Sequence, residues 1–267
     1  MIAAVKHNPA ALVSASVVAG WMIIAVSAPW LPLADPVVQT LAERFAPPSL
    51  AHLFGTDQFG RDLLSRVIWG ARVSLGIGLP VATVAVAGGT VLGALAGYLG
   101  GWWDSMIMRI VDVLLAFPLI YLVVTCLLLF GAALDNLLAI MMFTAWMDVA
   151  RLVRAEVMSL KERDFIQATV LLGFSYARVL WRHLLPNALP TIMTVAVLRV
   201  ADVILFETGL SFLGLGVQPP APSWGAIIND GQHALTSAWW ISLFPGLAIL
   251  SLTVSLHTLA NSLRRKI

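Results

Sequence analysis

Long uncharged apolar runs, separated by polar stretches, dominate the chain. Six of them have the length of membrane spans: about Ala10–Leu33, Val73–Leu99, Ile110–Leu134, Asn136–Val153, Ala188–Leu213 and Trp239–Leu263. A helix crossing a bilayer needs roughly 20 apolar residues at about 1.5 Å rise each. The runs are continuously apolar and lack the alternation of barrel strands, so they read as helices. Pro29, Pro32 and Pro36 stop the first run, and a long polar interruption, residues 34–70, follows it. Asp148 shortens the apolar part of the fourth. The first run resembles a signal peptide in following Lys6, but it is too long for a signal core and is expected to be a retained span.

The pattern therefore predicts an all-α integral membrane protein with six transmembrane helices. Residues 1–72 would form an N-terminal helix with an elbow segment. Residues 73–267 would form a five-helix core that carries a polar loop at about 154–186. Composition agrees: 60% of residues are hydrophobic and 11% charged, with a mean hydropathy of +0.90, whereas soluble domains carry about 25% charged residues. A net charge of +2, dispersed along the chain, gives no footprint for nucleic acid. Cys126 is the single cysteine and lies in an apolar run, so it is read as a packing residue.

Lysine and arginine are unevenly shared between the two sides. With both termini in the cytoplasm, the inside holds 11 of them: Lys6, Arg109, Arg151, Arg154, Lys161, Arg163, Arg178, Arg182, Arg264, Arg265 and Lys266. The outside holds 4, namely Arg44, Arg61, Arg66 and Arg72. The positive-inside bias thus places the 154–186 loop in the cytoplasm.

Charges within spans are costly unless paired or wet, so they are candidates for function. Arg199 and Asp202 lie three residues apart on the fifth span and are expected to pair, with Glu207 nearer the outside. These three either line a pathway or fix packing against a partner. Gly89, Gly93 and Gly97 recur every four residues on the second span, which is the spacing of close helix packing.

Some chemistries are missing. None of the three lysines is followed by Ser or Thr, so there is no P-loop and no route to ATP hydrolysis by that means. The motifs of serine and zinc proteases do not occur, and no inverted repeat of a secondary transporter is evident. His7, His52, His183, His233 and His257 are scattered without metal-ligand spacing. The chain is expected to be no enzyme and to bind no cofactor of its own.

Three motifs remain. In the polar loop, Gln167-Ala168-Thr169 is followed after three residues by Gly173, and nine residues later by His183-Leu184-Leu185-Pro186. Physically this is a short amphipathic helix over Asp164–Leu172, a permissive turn at Gly173, and a second helical piece that Pro186 ends. The spacing resembles the EAA loop of ABC importer permeases, with Gln, Thr and His at three of its positions. The second motif, Gly55-Thr56-Asp57-Gln58-Phe59-Gly60-Arg61-Asp62, lies in the polar interruption. Thr56 or Asp57 would cap a short helix there, and Arg61 and Asp62 would pair locally. It is read chiefly as a structural elbow and otherwise as a docking surface. The third runs Leu210-Ser211-Phe212-Leu213-Gly214-Leu215-Gly216, then Pro219-Pro220 and Ser223-Trp224-Gly225.

Together these motifs resemble the C-type permease subunit of the dipeptide, oligopeptide and nickel branch of ABC importers. The resemblance implies a type I importer permease of the bacterial inner membrane. It further implies a homologous permease partner, two cytoplasmic ATPases carrying ATP and Mg, and an extracytoplasmic binding protein. Peptide would be the cargo, with nickel or a metal chelate as the alternative. Relatives end in Gly-Asp-x-Leu-Arg-Asp and an acidic tail, whereas this chain ends Asn261-Ser262-Leu263-Arg264-Arg265-Lys266-Ile267.

Overall fold

Pro9, at the first helical position behind the Asn8 cap, opens α1 (Pro9–Ser27) in the computed structural model, which describes residues 8–264. Lys6, Arg265 and Lys266, part of the charge bias above, lie outside the described residues. The remaining long helices are α2 (Leu63–Leu99), α3 (Gly101–Leu115), α4 (Leu119–Phe130), α5 (Leu134–Thr144) and α6 (Met147–Lys161). After them come α7 (Asp164–Leu171), α8 (Tyr176–Val179), α9 (Leu185–Phe212), α10 (Trp224–Gly231) and α11 (Trp240–Arg264). Among the described residues, five helices are long and apolar enough to cross a membrane, and the α3–α4 pair makes a sixth if taken as one span.

Four spans differ from their expected form. The second begins at Leu63, not Val73, because Asp62 accepts a hydrogen bond from the Ser65 amide at 2.8 Å and caps the helix ten residues early. α2 therefore runs unbroken through residues 72 and 73. The third is no straight rod. α3 and α4 meet at 80° across Ala116-Phe117-Pro118, where proline has no amide to donate and disfavours helix in the residue before it. The fourth continues past Asp148 and Arg151 to Lys161, since both charges find partners on other helices.

The fifth span is also longer than its apolar run. α8, a π turn at Leu180–Leu184 and α9 form one span of 37 residues, Tyr176–Phe212. Pro186 does not end the preceding piece as expected. The π turn bonds the Leu185 amide to the Leu180 carbonyl, so the helix passes the proline with a register shift instead of a break. The Asn187 side chain donates to the His183 carbonyl at 2.6 Å.

α2 and α6 form the central seam. A Cβ at Gly97 would sit 2.7 Å from the Arg154 carbonyl, one at Gly89 2.6 Å from Val149 Cβ, and one at Gly93 would meet the Ala150 carbonyl. The four-residue glycine spacing is thus spent on helix contact within this chain. Apolar side chains gather in three clusters. One joins α1, α2, α10 and α11 around Trp224 and Ile241, one joins α2, α4 and α5, and one packs α6, α7 and the π turn around Val153 and Ile166. Cys126 packs against the second of these as a half-buried side chain.

Candidate functional site

The 154–186 loop is a helix–turn–helix standing on the end of α6. α7 buries Ile166 and Thr169 against the third cluster and leaves Gln167 and Ala168 exposed. Asp164 in its first turn complements the helix dipole. At its other end the Gly173 amide donates to the Val170 carbonyl (3.0 Å) and the Phe174 amide to the Thr169 carbonyl (3.2 Å). This pair of bonds is a Schellman motif, which requires a left-handed residue, and Gly173 has φ +77°. Ser175 then caps α8 by accepting from the Arg178 amide. Leu185 is half-buried and Pro186 exposed, both on the span that the π turn feeds. The tip carries apolar side chains into the open: Leu171 is 88% exposed and Leu172 73%. Such exposure on a short helix marks a surface made for a protein partner or a lipid.

The opposite end holds the elbow, residues 34–62, and it is built from buried charge. Asp57 is fully buried, and its Oδ1 accepts from the Phe59 amide (2.8 Å) and the Arg61 amide (3.1 Å). Its Oδ2 accepts from Arg61 Nε at 2.6 Å. Neither Thr56 nor Asp57 caps a helix as expected. Thr56 accepts from the Ala46 amide and donates to the Glu43 carbonyl, so both residues fold the elbow onto itself, and Asp62 is the cap. Gly55 (φ +78°) and Gly60 (φ +71°) make the turns of this loop. His52 Nδ1 lies 2.9 Å from Asp62, and that hydrogen bond raises its pKa above the ordinary value.

Asp230, on α10, was not singled out from the sequence. Its Oδ2 accepts from Arg61 Nη2 (3.0 Å) and Arg66 Nη2 (2.9 Å), and its Oδ1 from Gln58 (3.2 Å). Burial pushes its pKa up, while the two guanidiniums pull it down. The signal in the sequence was weak: Asp57 and Asp62 already match Arg61 and Arg66 in number, and only the engagement of Asp62 as the helix cap and with His52 leaves an acid wanting, which Asp230, the single acidic residue between Gly214 and Ala238, supplies.

The intramembrane charges sort differently than expected. Arg199 does not pair with Asp202. Its Nη1 lies 3.6 Å from Asp148 on α6, and Asp202 is exposed without an ion-pair partner among the described residues. An arginine preceding its acid along a helix is the weaker order for such a pair, and α6 offers a nearer carboxylate. Glu207 is fully buried. Its oxygens accept from Ser211 (2.6 Å) and Ser74 (3.3 Å), and Ser211 contacts Ser223 (3.2 Å), so α9, α2 and the start of α10 share one polar knot. Arg151 pairs with Asp112 and Arg154 with Asp104, both tying α3 to α6.

Comparison with known proteins adds three findings. Residues 89–267 match the family described as binding-protein-dependent transport system inner membrane component. The dipeptide transport system permease protein DppC of Alkalihalophilus pseudofirmus is 38% identical over 97% of this chain and 85% of its own length. The oligopeptide transport system permease protein OppC of Haemophilus influenzae is 35% identical over 97% of this chain and 84% of its own. A chain of the MetNI methionine ABC transporter, solved in inward-facing conformations, superposes with a TM-score of 0.64. It is 15% identical and covers 76% of this chain and 97% of that one, a likeness of fold.

Proposed function

Because the chain belongs to the family of binding-protein-dependent transport system inner-membrane components, we propose that it is the C-type permease of an importer for dipeptides or short oligopeptides. A homologous permease completes the pathway, two ATPases carry ATP and Mg on the cytoplasmic side, and a binding protein delivers cargo from the other. In this arrangement the loop and both termini face the cytoplasm, a reading supported by the lysine and arginine bias.

The observation that carries the reading is the two-faced α7. Its buried face, Ile166 and Thr169, is fixed to the body of the chain, while Ala168, Leu171 and Leu172 face outward for a groove on an ATPase. Closure of the ATPases displaces α7, and the buried face passes that displacement to α6 and the span beginning at Tyr176. Transport then alternates the access of one pathway between the two sides. Hydrolysis in this arrangement belongs to the ATPases. Gln167 donates to the Glu162 carbonyl at 3.1 Å and so acts to hold the start of the helix.

The test is uptake in a strain lacking this chain, complemented by a tagged copy that is also purified from native membranes. Lost uptake of a labelled dipeptide, restored by the tagged copy, with a second permease and ATPases co-purifying, supports the proposal. Lost nickel accumulation with normal dipeptide uptake transfers it to metal. A chain that purifies alone and transports in liposomes overturns it.

A further inference from the structure

α3 sorts its charges by face. Asp104 gives both carboxylate oxygens to Arg154, and Asp112 accepts from Arg151 at 2.6 Å, so both acids are held by α6. Trp102, Met106, Arg109 and Val113, at four- and three-residue intervals, share a stripe that faces away from Asp104. With Phe143 of α5 they border a groove of about 710 Å³ in which Arg109 is the one charged residue. Arg109 is exposed and has neither an ion pair nor a hydrogen bond among the described residues, although Asp112 stands three positions on. Trp102, Ile110, Val113 and Phe143 are exposed around it.

The start of α3 lies beside α7, since Asp104 borders one hollow together with Gln167 and Leu171. From there α3 crosses α6 steeply. Asp104 and Asp112 are about 12 Å apart along α3, while their partners Arg154 and Arg151 are about 4.5 Å apart along α6. α3 and α4 meet at 80°, so at most one of them follows the bilayer normal, and α4 is the one without charge. A helix with a tryptophan and an arginine on its free face suits the membrane interface, polar tips at headgroup level and aliphatic side chains below.

We infer that the α3 groove binds an acidic phospholipid of the cytoplasmic leaflet, its phosphate on Arg109 and an acyl chain along Ile110, Val113 and Phe143. A guanidinium meets phosphate oxygens with two parallel bonds, and the Ser105 hydroxyl on the same wall is a further donor. The groove presents one positive charge and no acid. A net-negative headgroup complements that, whereas a zwitterionic one brings an ammonium with nothing to meet it. The choice of leaflet rests on the cytoplasmic placement of the 154–186 loop proposed above.

The test places the complete transporter in nanodiscs of phosphatidylcholine with a minor share of phosphatidylglycerol, and identifies the lipids it retains by native mass spectrometry. Phosphatidylglycerol is expected to be enriched about fivefold over its share, the worth of one arginine at a lipid surface. Arg109→Gln abolishes the enrichment and Arg109→Lys keeps part of it. Should Arg109→Gln fail to assemble, Val113→Glu, at an exposed position one turn on, gives Arg109 a carboxylate of its own and is expected to abolish the enrichment too. No enrichment by the unmodified transporter overturns the site, as does enrichment that survives either variant. A photoreactive side chain in place of Ile110 decides the occupant. Attachment to phospholipid supports the proposal, and attachment to the second permease overturns it in favour of a protein contact. Glycerol phosphate that competes equally with the lipid overturns it in favour of a free phosphate site. Protease that fails to reach residues 154–186 in inside-out vesicles breaks the orientation instead, whatever the headgroup selectivity.

Discussion

The two ends of the molecule are made from opposite materials. The elbow end buries Asp57, Arg61 and Arg66 and ties residues 34–62 to α10 through Asp230, so its charges pair with one another, although Arg66 Nε and Nη1 have no hydrogen-bond acceptor among the described residues. At the loop end, α7 buries only Ile166 and Thr169 of its own residues, against an apolar cluster, and Leu171 and Leu172 turn outward. An end whose charges are satisfied internally holds its shape alone. An end with exposed leucines offers apolar surface to a partner. The contrast gives one side a self-paired core and, under the proposed coupling role, gives the other side the contact.

The sharpest way to break this contrast is to remove the centre of the rigid end. Asp57→Ala leaves two buried guanidiniums short of a partner and is expected to cost about 3–5 kcal/mol. Thermal unfolding of the purified transporter should show a large loss, and an unchanged midpoint would mean that the elbow is not a closed structure. At the contact end the expected effect moves from stability to function. Ala168→Asp changes an exposed position, so the melting curve should stay while ATPase co-purification and uptake collapse. Normal uptake would sink the coupling assignment of α7.

Gly173 separates conformation from contact more finely. Its φ of +77° has open space around it, so a side chain there meets strain and not a clash. Gly173→Asn, a residue tolerant of left-handed backbone, should keep most uptake, whereas Gly173→Val should lose about 1–2 kcal/mol locally and most uptake with it. If the two behave alike, the Schellman turn is not what shapes the loop.

The smallest expected effect is a pH dependence. The hydrogen bond from His52 to Asp62 raises the folded pKa above 6.5, against desolvation, with Asp62 and Glu43 adding charge attraction. A raised folded pKa gives stability that is complete below the ordinary value and lost as pH rises through the elevated one. Amide exchange over residues 43–62 should therefore quicken modestly above neutral pH relative to a His52→Gln reference. An identical pH response in both would remove His52 from the elbow's stability.

What the sequence made legible was local. Apolar run length located the spans, glycine at every fourth residue marked the α2–α6 seam, and the offsets from Gln167 to Pro186 drew the loop. Hydropathy does not see Pro118 as a bend, because both flanks are equally apolar. Nor does it see the π turn at Leu180–Leu184, which depends on how the freed carbonyls are satisfied. The charge partners were least legible. Arg199 chose Asp148 over its neighbour Asp202, and Arg61 found Asp230 across 169 positions, choices made by helix packing and not by spacing.

The unbroken passage from Tyr176 to Phe212 has a mechanical consequence. Thirty-seven helical residues make a rod of roughly 55 Å, and a tilt of only about 5° at one end swings the other by about 5 Å. Seated on the α2–α6 seam as a fulcrum, such a rod is a lever. Under the proposed coupling role, a stroke delivered beside Gly173 would travel to the far rim along this one span, and the π turn at Leu180–Leu184 and Pro190 are the points where it can bend.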